Sequence, residues 1–188
     1  WKGLVGSEMC IRDSYWMTGM AYLIDAANLL KSYTGIDLYR RPFFSKTGDF
    51  PLYTKAPDTR RGTFGDDSTM GDSVGLKVGY NMRQFAGVTG KGEYQWYFDE
   101  IVKNDPGTEM AFYNYGWWDL NFDDMVYKHD YGGIEASPPT DRLRHFRGIG
   151  WAAIQTHMDD PDRHIQFVTK SSGFGSISHS HGDQNAFC

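Results

Sequence analysis

The sequence predicts an α+β chain in which helices come first and antiparallel strands second. Three observations carry this. Apolar residues recur at spacings of three and four through the first half of the chain. Short segments rich in β-branched and aromatic residues, separated by turn formers, fill its end. The stretch "ASPPT", Ala136 to Thr140, divides the two textures. Such an order suits an α+β arrangement split along the chain, or two small domains, rather than an alternating α/β fold.

The first helix is expected from Tyr15, with Trp16, Met20, Leu23, Ala27 and Leu30 as one apolar stripe and Gly35 as its stop. A long loop rich in turn formers is expected from Arg40 to Ser68, with three prolines and four arginines. A loop of that length inside a fold is uncommon and usually functional. A second helix should start near Asp72, a good N-cap, and run to about Ala86, with Leu76, Gly79, Tyr80 and Arg83 on one face. A third should span Glu93 to Lys103, with Tyr94, Tyr97, Phe98 and Ile101 on one side, before the turn formers "NDPG". "MAFYNYGWWDLNFDDMVY" suits either helix or packed loop. Beyond the boundary, "FRGIGWAAIQT", "HIQFVTK" and "GSISHSH" read as strands, with "DDPD" and "SSGFG" as the turns between them.

Composition narrows the function. A net charge of −5 without a basic run longer than two residues argues against nucleic acid as the partner. No apolar run is long enough to span a bilayer. Aromatic residues make up 16% of the chain, a content that suits either a ring-rich core or contact with the flat faces of sugars. Two cysteines, Cys10 and Cys188, make no disulfide framework.

Residues 4–14, "LVGSEMCIRDS", resemble the in-frame translation of a sequencing-library adapter, matching from Leu4 through Asp13 without a gap and allowing Ser14. Residues 1–14 are therefore read as non-native and set aside, Cys10 with them. Both ends read as cut, and the chain as a fragment.

The segment "SISHSHGDQNAFC", Ser176 to Cys188, holds the most pointed chemistry. On a strand, His179 and His181 would project from the same side. Paired neutral imidazoles are a common start to a zinc site, although at least one further ligand must come from elsewhere. The plain alternative is a polar strand edge with solvated histidines. A zinc hydrolase of the metallo-β-lactamase kind is a second functional reading, since His179, His181 and Asp183 fit its His-x-His-x-Asp-His pattern. Gln184 in place of the last His, and a helical region in front, count against it.

"SSGFGSISHSHGDQNAF", preceded by "FRGIGWAAIQTHMDDPDRHIQFVTK", resembles the start of the β-sandwich of heparinase II/III-like polysaccharide lyases. "YWMTGMAYLIDAANLL" and "FPLYTKAP…RGTFGDDS" resemble parts of the helical toroid of that family. The resemblance covers nearly everything after residue 14. It implies the C-terminal part of an (α/α) toroid over 15–136 and the truncated start of an antiparallel β-sandwich over 137–188.

It also implies β-elimination on a uronic-acid polysaccharide. The C5 proton is removed, the 4-linked oxygen leaves, and the charge building on the carboxylate must be stabilised. His179 is similar to the catalytic histidine of the family. His181 is similar to a ligand of a zinc ion that braces the sandwich, its other ligands expected beyond Cys188. Asp183 and Asn185 would orient the histidines.

The catalytic tyrosine should sit on a toroid loop. Tyr53 is the first candidate and Tyr39 the alternative, though either could simply pack in the helical layer. Arg40, Arg41, Arg60 and Arg61 are candidates for carboxylate or sulfate binding, with solvated surface arginines as the plain reading. Trp117 and Trp118 are candidates for stacking on sugar rings. The expected partner is an acidic polysaccharide and the implied location periplasmic or secreted. A non-catalytic carbohydrate-binding module is the remaining alternative. With site residues missing at both ends, this chain alone is expected to be inactive. Release of unsaturated uronides by the purified chain, followed by ultraviolet absorbance, would contradict that.

Overall fold

The computed structural model describes residues 16–57, 74–104, 133–160 and 162–170. They form helices followed by a three-stranded antiparallel sheet, the order expected. Helix α1 spans Trp16–Thr34. It buries Trp16, Met20, Ile24, Ala27 and Asn28, so the working stripe is rotated slightly from the one expected, with Leu23 and Leu30 at its edge. Gly35 stops it: at φ 74° its N–H reaches back to the Lys31 carbonyl at 2.9 Å, a left-handed termination that glycine adopts without a Cβ clash.

The expected long loop is partly helical. After a single 3₁₀ turn at Leu38–Arg40 come α2, Pro42–Lys46, and α3, Asp49–Thr54. Proline stands in the first turn of each, where its missing N–H breaks no helical bond. Turn-forming composition thus disguised two short helices.

Helix α4 spans Val74–Thr89, three residues past its expected end, because Gly87 is tolerated and Gly90 (φ 72°) makes the stop. Its core residues are Val78, Met82, Phe85 and Ala86. The expected face is only half-buried at Tyr80 and Arg83, which lie against the Phe98 ring at 5.6 and 5.4 Å. Helix α5, Gly92–Asn104, follows after two residues and buries Tyr94, Trp96, Tyr97 and Ile101. Phe85 of α4 meets Trp16 of α1 and Phe44 of α2 at 6.0 and 6.4 Å between ring centres.

The "FRGIGWAAIQT" segment divides. Strand β1 is Leu143–Phe146, residues 147–150 turn, and β2 is Trp151–Thr156; β3 is Ile165–Lys170. β2 lies in the middle, with Arg144 paired to Ala153 and Gln155 paired to Gln166. The period of two sends Arg144, Phe146, Trp151, Ala153, Gln155, Gln166 and Val168 to one face. That face meets the helices: Phe50 of α3 contacts Phe146 at 5.6 Å and Trp151 at 5.4 Å. One hydrophobic core therefore runs through both textures, from Trp16 and Phe85 to Trp151 and Val168. The "ASPPT" boundary runs along the start of α5, where the Ser137 N–H donates to the Gly92 carbonyl at 3.1 Å. The "GSISHSH" segment lies outside the described residues.

Trp151 is the large ring at the helix–sheet contact and is only 2% exposed. Trp151→Ala should cost about 3–5 kcal/mol of stability, the range for truncating a buried aromatic, read as a lower urea midpoint.

Candidate functional site

The two candidate tyrosines have different fates. Tyr39 is held by its hydroxyl, which donates to Asn28 Oδ1 at 2.6 Å and lies 3.4 Å from the Ile24 carbonyl oxygen. Its ring stands edge-on to Phe44 at 5.1 Å. This is a structural tie between the 3₁₀ turn and α1. Tyr53 is fully buried on α3, and among the described residues its hydroxyl has no hydrogen-bond partner. Arg144 of β1 lies over its ring, the guanidinium carbon 4.8 Å from the ring centre. The buried Nε of Arg144 likewise has no partner among the described residues.

Around this pair the fold gathers charge from α3 and from the segments just before α5 and β1. Asp49, at the start of α3, accepts a hydrogen bond from the Tyr94 hydroxyl at 2.6 Å and pairs with Lys91 at 3.2 Å through the same oxygen. Its other oxygen faces Arg144 at 3.5 Å. Asp141 adds a longer contact to Arg144 at 3.9 Å. Gly48 lets the Tyr94 ring close over this corner, since a Cβ there would stand 2.8 Å from the ring.

The electrostatics follow from burial and from these neighbours. Burial pushes the Tyr53 phenol up to about 12; Arg144 opposes the shift, and Glu93, Asp141 and Asp49 add to it. Burial, then the Asp49 charge, pushes Tyr94 up as well. Glu93 is raised by burial first and by Asp49 second, against Lys91 and Arg144. Tyr53 is thus a weaker acid than a free tyrosine, and the Arg144 cation over its ring works the other way, toward the phenolate.

Of the other candidates, Arg40 and Arg41 are exposed, and Arg40 helps lower the Asp37 pKa, an effect led by the Lys31 hydrogen bond. Arg60, Arg61, Trp117, Trp118, His179, His181, Asp183, Gln184 and Asn185 lie outside the described residues. Among the described residues no group of three or more His, Cys, Asp or Glu is placed to hold a metal ion, and no helix is long and apolar enough to cross a membrane. The expected zinc ligand, His181, is not among them.

Arg144, Asp49 and Lys91 were not singled out by the sequence, and Tyr94 only as part of the apolar face of α5. Only a period-two reading of "LRHF", which sets Arg144 on the same side as Phe146, could have marked one of them. Set against models of known protein families and against curated proteins, the chain matches none.

A desolvated hydroxyl without a partner is a cost in the fold. Tyr53→Phe should therefore raise stability at neutral pH by about 1–2 kcal/mol. The tyrosine's raised pKa has a second consequence. Between its ordinary value of 10.0 and about 12, the unfolded chain ionises this phenol while the folded chain keeps it neutral. Its contribution is complete below pH 10 and is lost as pH rises through about 12. Tyr53→Phe should lose less stability than the parent over that window, measured by urea unfolding at successive pH values.

Proposed function

We propose that the chain is part of a polysaccharide lyase that cleaves uronic-acid glycans by β-elimination, with Tyr53 as the proton donor. The observation that carries this reading is the buried Tyr53, its ring beneath the Arg144 guanidinium and its hydroxyl without a hydrogen-bond partner among the described residues. Tyr53 is closed off from solvent here, so protonating the departing 4-linked oxygen requires the corner under Arg144 to open to the sugar, and Arg144 then favours the phenolate formed as the proton leaves. Arg144 has about a third of its side chain exposed, so it can also face the carboxylate of an acidic sugar. His179, on the motif that resembles the lyase family, is the proposed base that takes the C5 proton.

The finer architecture belongs to the same proposal: an (α/α) toroid joined to a β-sandwich. The α4–α5 hairpin supports the helical part. The sheet supports the other. Its outward face carries an exposed apolar row across the strands, Leu143, Ile154 and Phe167, as a sheet to be covered by a second one would. The zinc of the resemblance rests on His181, and an acidic glycan substrate places the enzyme in the periplasm or outside the cell.

In the full-length protein, Tyr53→Phe should lower the release of unsaturated uronides by roughly 10²–10⁴-fold, the usual range for losing a general acid. Ultraviolet absorbance of the product on a panel of uronate polysaccharides reads this out. Unchanged release would reject Tyr53 as the donor. No release by the parent on any of the panel would reject the lyase.

A further inference from the structure

Helix α3 ends inside the protein, at the residue the reaction needs. The last carbonyls of a helix lack intrahelical partners and, when buried, must find others. Here the Pro51 carbonyl takes the Lys55 N–H at 2.9 Å and the Phe50 carbonyl takes the Thr54 hydroxyl at 2.7 Å. The carbonyls of Leu52 and Tyr53 are served by the sheet. Gln155 Nε2 donates to both, at 3.2 and 2.7 Å, and Gln166 Nε2 donates to Tyr53 at 2.9 Å.

The two glutamines face each other across β2 and β3, so the register of the sheet brings both amides to one carbonyl. Gln155 is fully buried, and its amide is used at both ends. Its oxygen lies 3.1 Å from His164 Nε2; because that oxygen only accepts, the imidazole nitrogen carries the proton.

We propose that Gln155 and Gln166 are positioning residues for Tyr53. They fix the backbone of a residue whose side chain has no hydrogen bond among the described residues, so the orientation of the phenol beneath Arg144 is set through its main chain. The inference rests on Tyr53 acting as the proton donor. It adds that the strands, and not only the helices, determine where that donor stands. A Gln at each of two paired inward positions is costly in a core unless its amide is fully used, and here the use converges on one carbonyl.

The test places 3-fluorotyrosine at position 53 of the chain and follows its ¹⁹F resonance, which needs no activity. Gln155→Leu should shift or split that resonance and speed amide exchange over residues 52–56 by about tenfold or more. Gln166→Leu, which leaves the Gln155 bonds, should do so less. Val168→Ala, on the same buried face but without a bond to α3, should destabilise the chain and leave the resonance in place. In the full-length enzyme, Gln155→Leu should lower kcat about tenfold with KM unchanged, and lower it no further in a Tyr53→Phe background. An unmoved resonance in both glutamine variants, or an equal shift in Val168→Ala, overturns the positioning role. A shifted resonance in a protein that releases no uronide overturns the lyase reading alone.

Discussion

The end of α3 is the constraint around which the rest of the structure is arranged. A six-residue helix has too few internal bonds to hold itself, and its final carbonyls point into the core. Burial cuts them off from bulk water. The sheet serves them through Gln155 and Gln166, and α5 extends the arrangement two residues past Tyr53, the Tyr97 hydroxyl donating to the Lys55 carbonyl at 2.6 Å. Helices and strands are thus tied by directed polar bonds as well as by the contact of Phe50 with Trp151. Apolar packing alone tolerates small slips; a carbonyl receiving two amide donors does not.

At the other end of the same helix, Asp49 organises the charges. It binds one cation through each oxygen, Lys91 and Arg144, and receives the Tyr94 hydroxyl. Because Asp49 is largely buried, these bonds act in a poorly screened setting and matter more than exposed pairs such as Lys103–Glu100. Asp49 holds Arg144 over the Tyr53 ring while its own charge helps keep the phenol protonated. One short helix therefore carries the tyrosine and the carboxylate that places the cation above it.

The contrast between Tyr39 and Tyr53 shows how little residue type decides. Both are buried aromatic residues, Tyr39 just before the turn-rich stretch and Tyr53 within it. Tyr39 finds Asn28 one helix away and becomes a strut; Tyr53 lies under a guanidinium, its hydroxyl without a partner among the described residues. Natural folds seldom leave such a group without a use, which gives the second tyrosine its functional interest.

Local rules made much of the fold legible. The spacing from Trp16 to Ala27, the stop at Gly35, the aromatic face of α5 and the β-branched runs from Trp151 onward follow from helix and strand periods that any reader of the chain can count. The short helices α2 and α3 were hidden because Pro, Gly and Lys spell a turn as readily as a helix start, and because their stability comes from neighbours distant in sequence. The candidate site was half legible. Tyr53 could be nominated from its surroundings in the chain, but nothing local says that residues 49, 53, 91, 94 and 144 meet. Features that depend on residues a few positions apart were readable from the chain: the three long helices, the strands from Trp151 onward and their apolar faces. Which tyrosine is tied and which has no hydroxyl partner among the described residues was not readable, because that depends on Asn28 and Arg144, and the seat of Tyr53 on two glutamines about a hundred residues beyond it, all brought together only when the core closes.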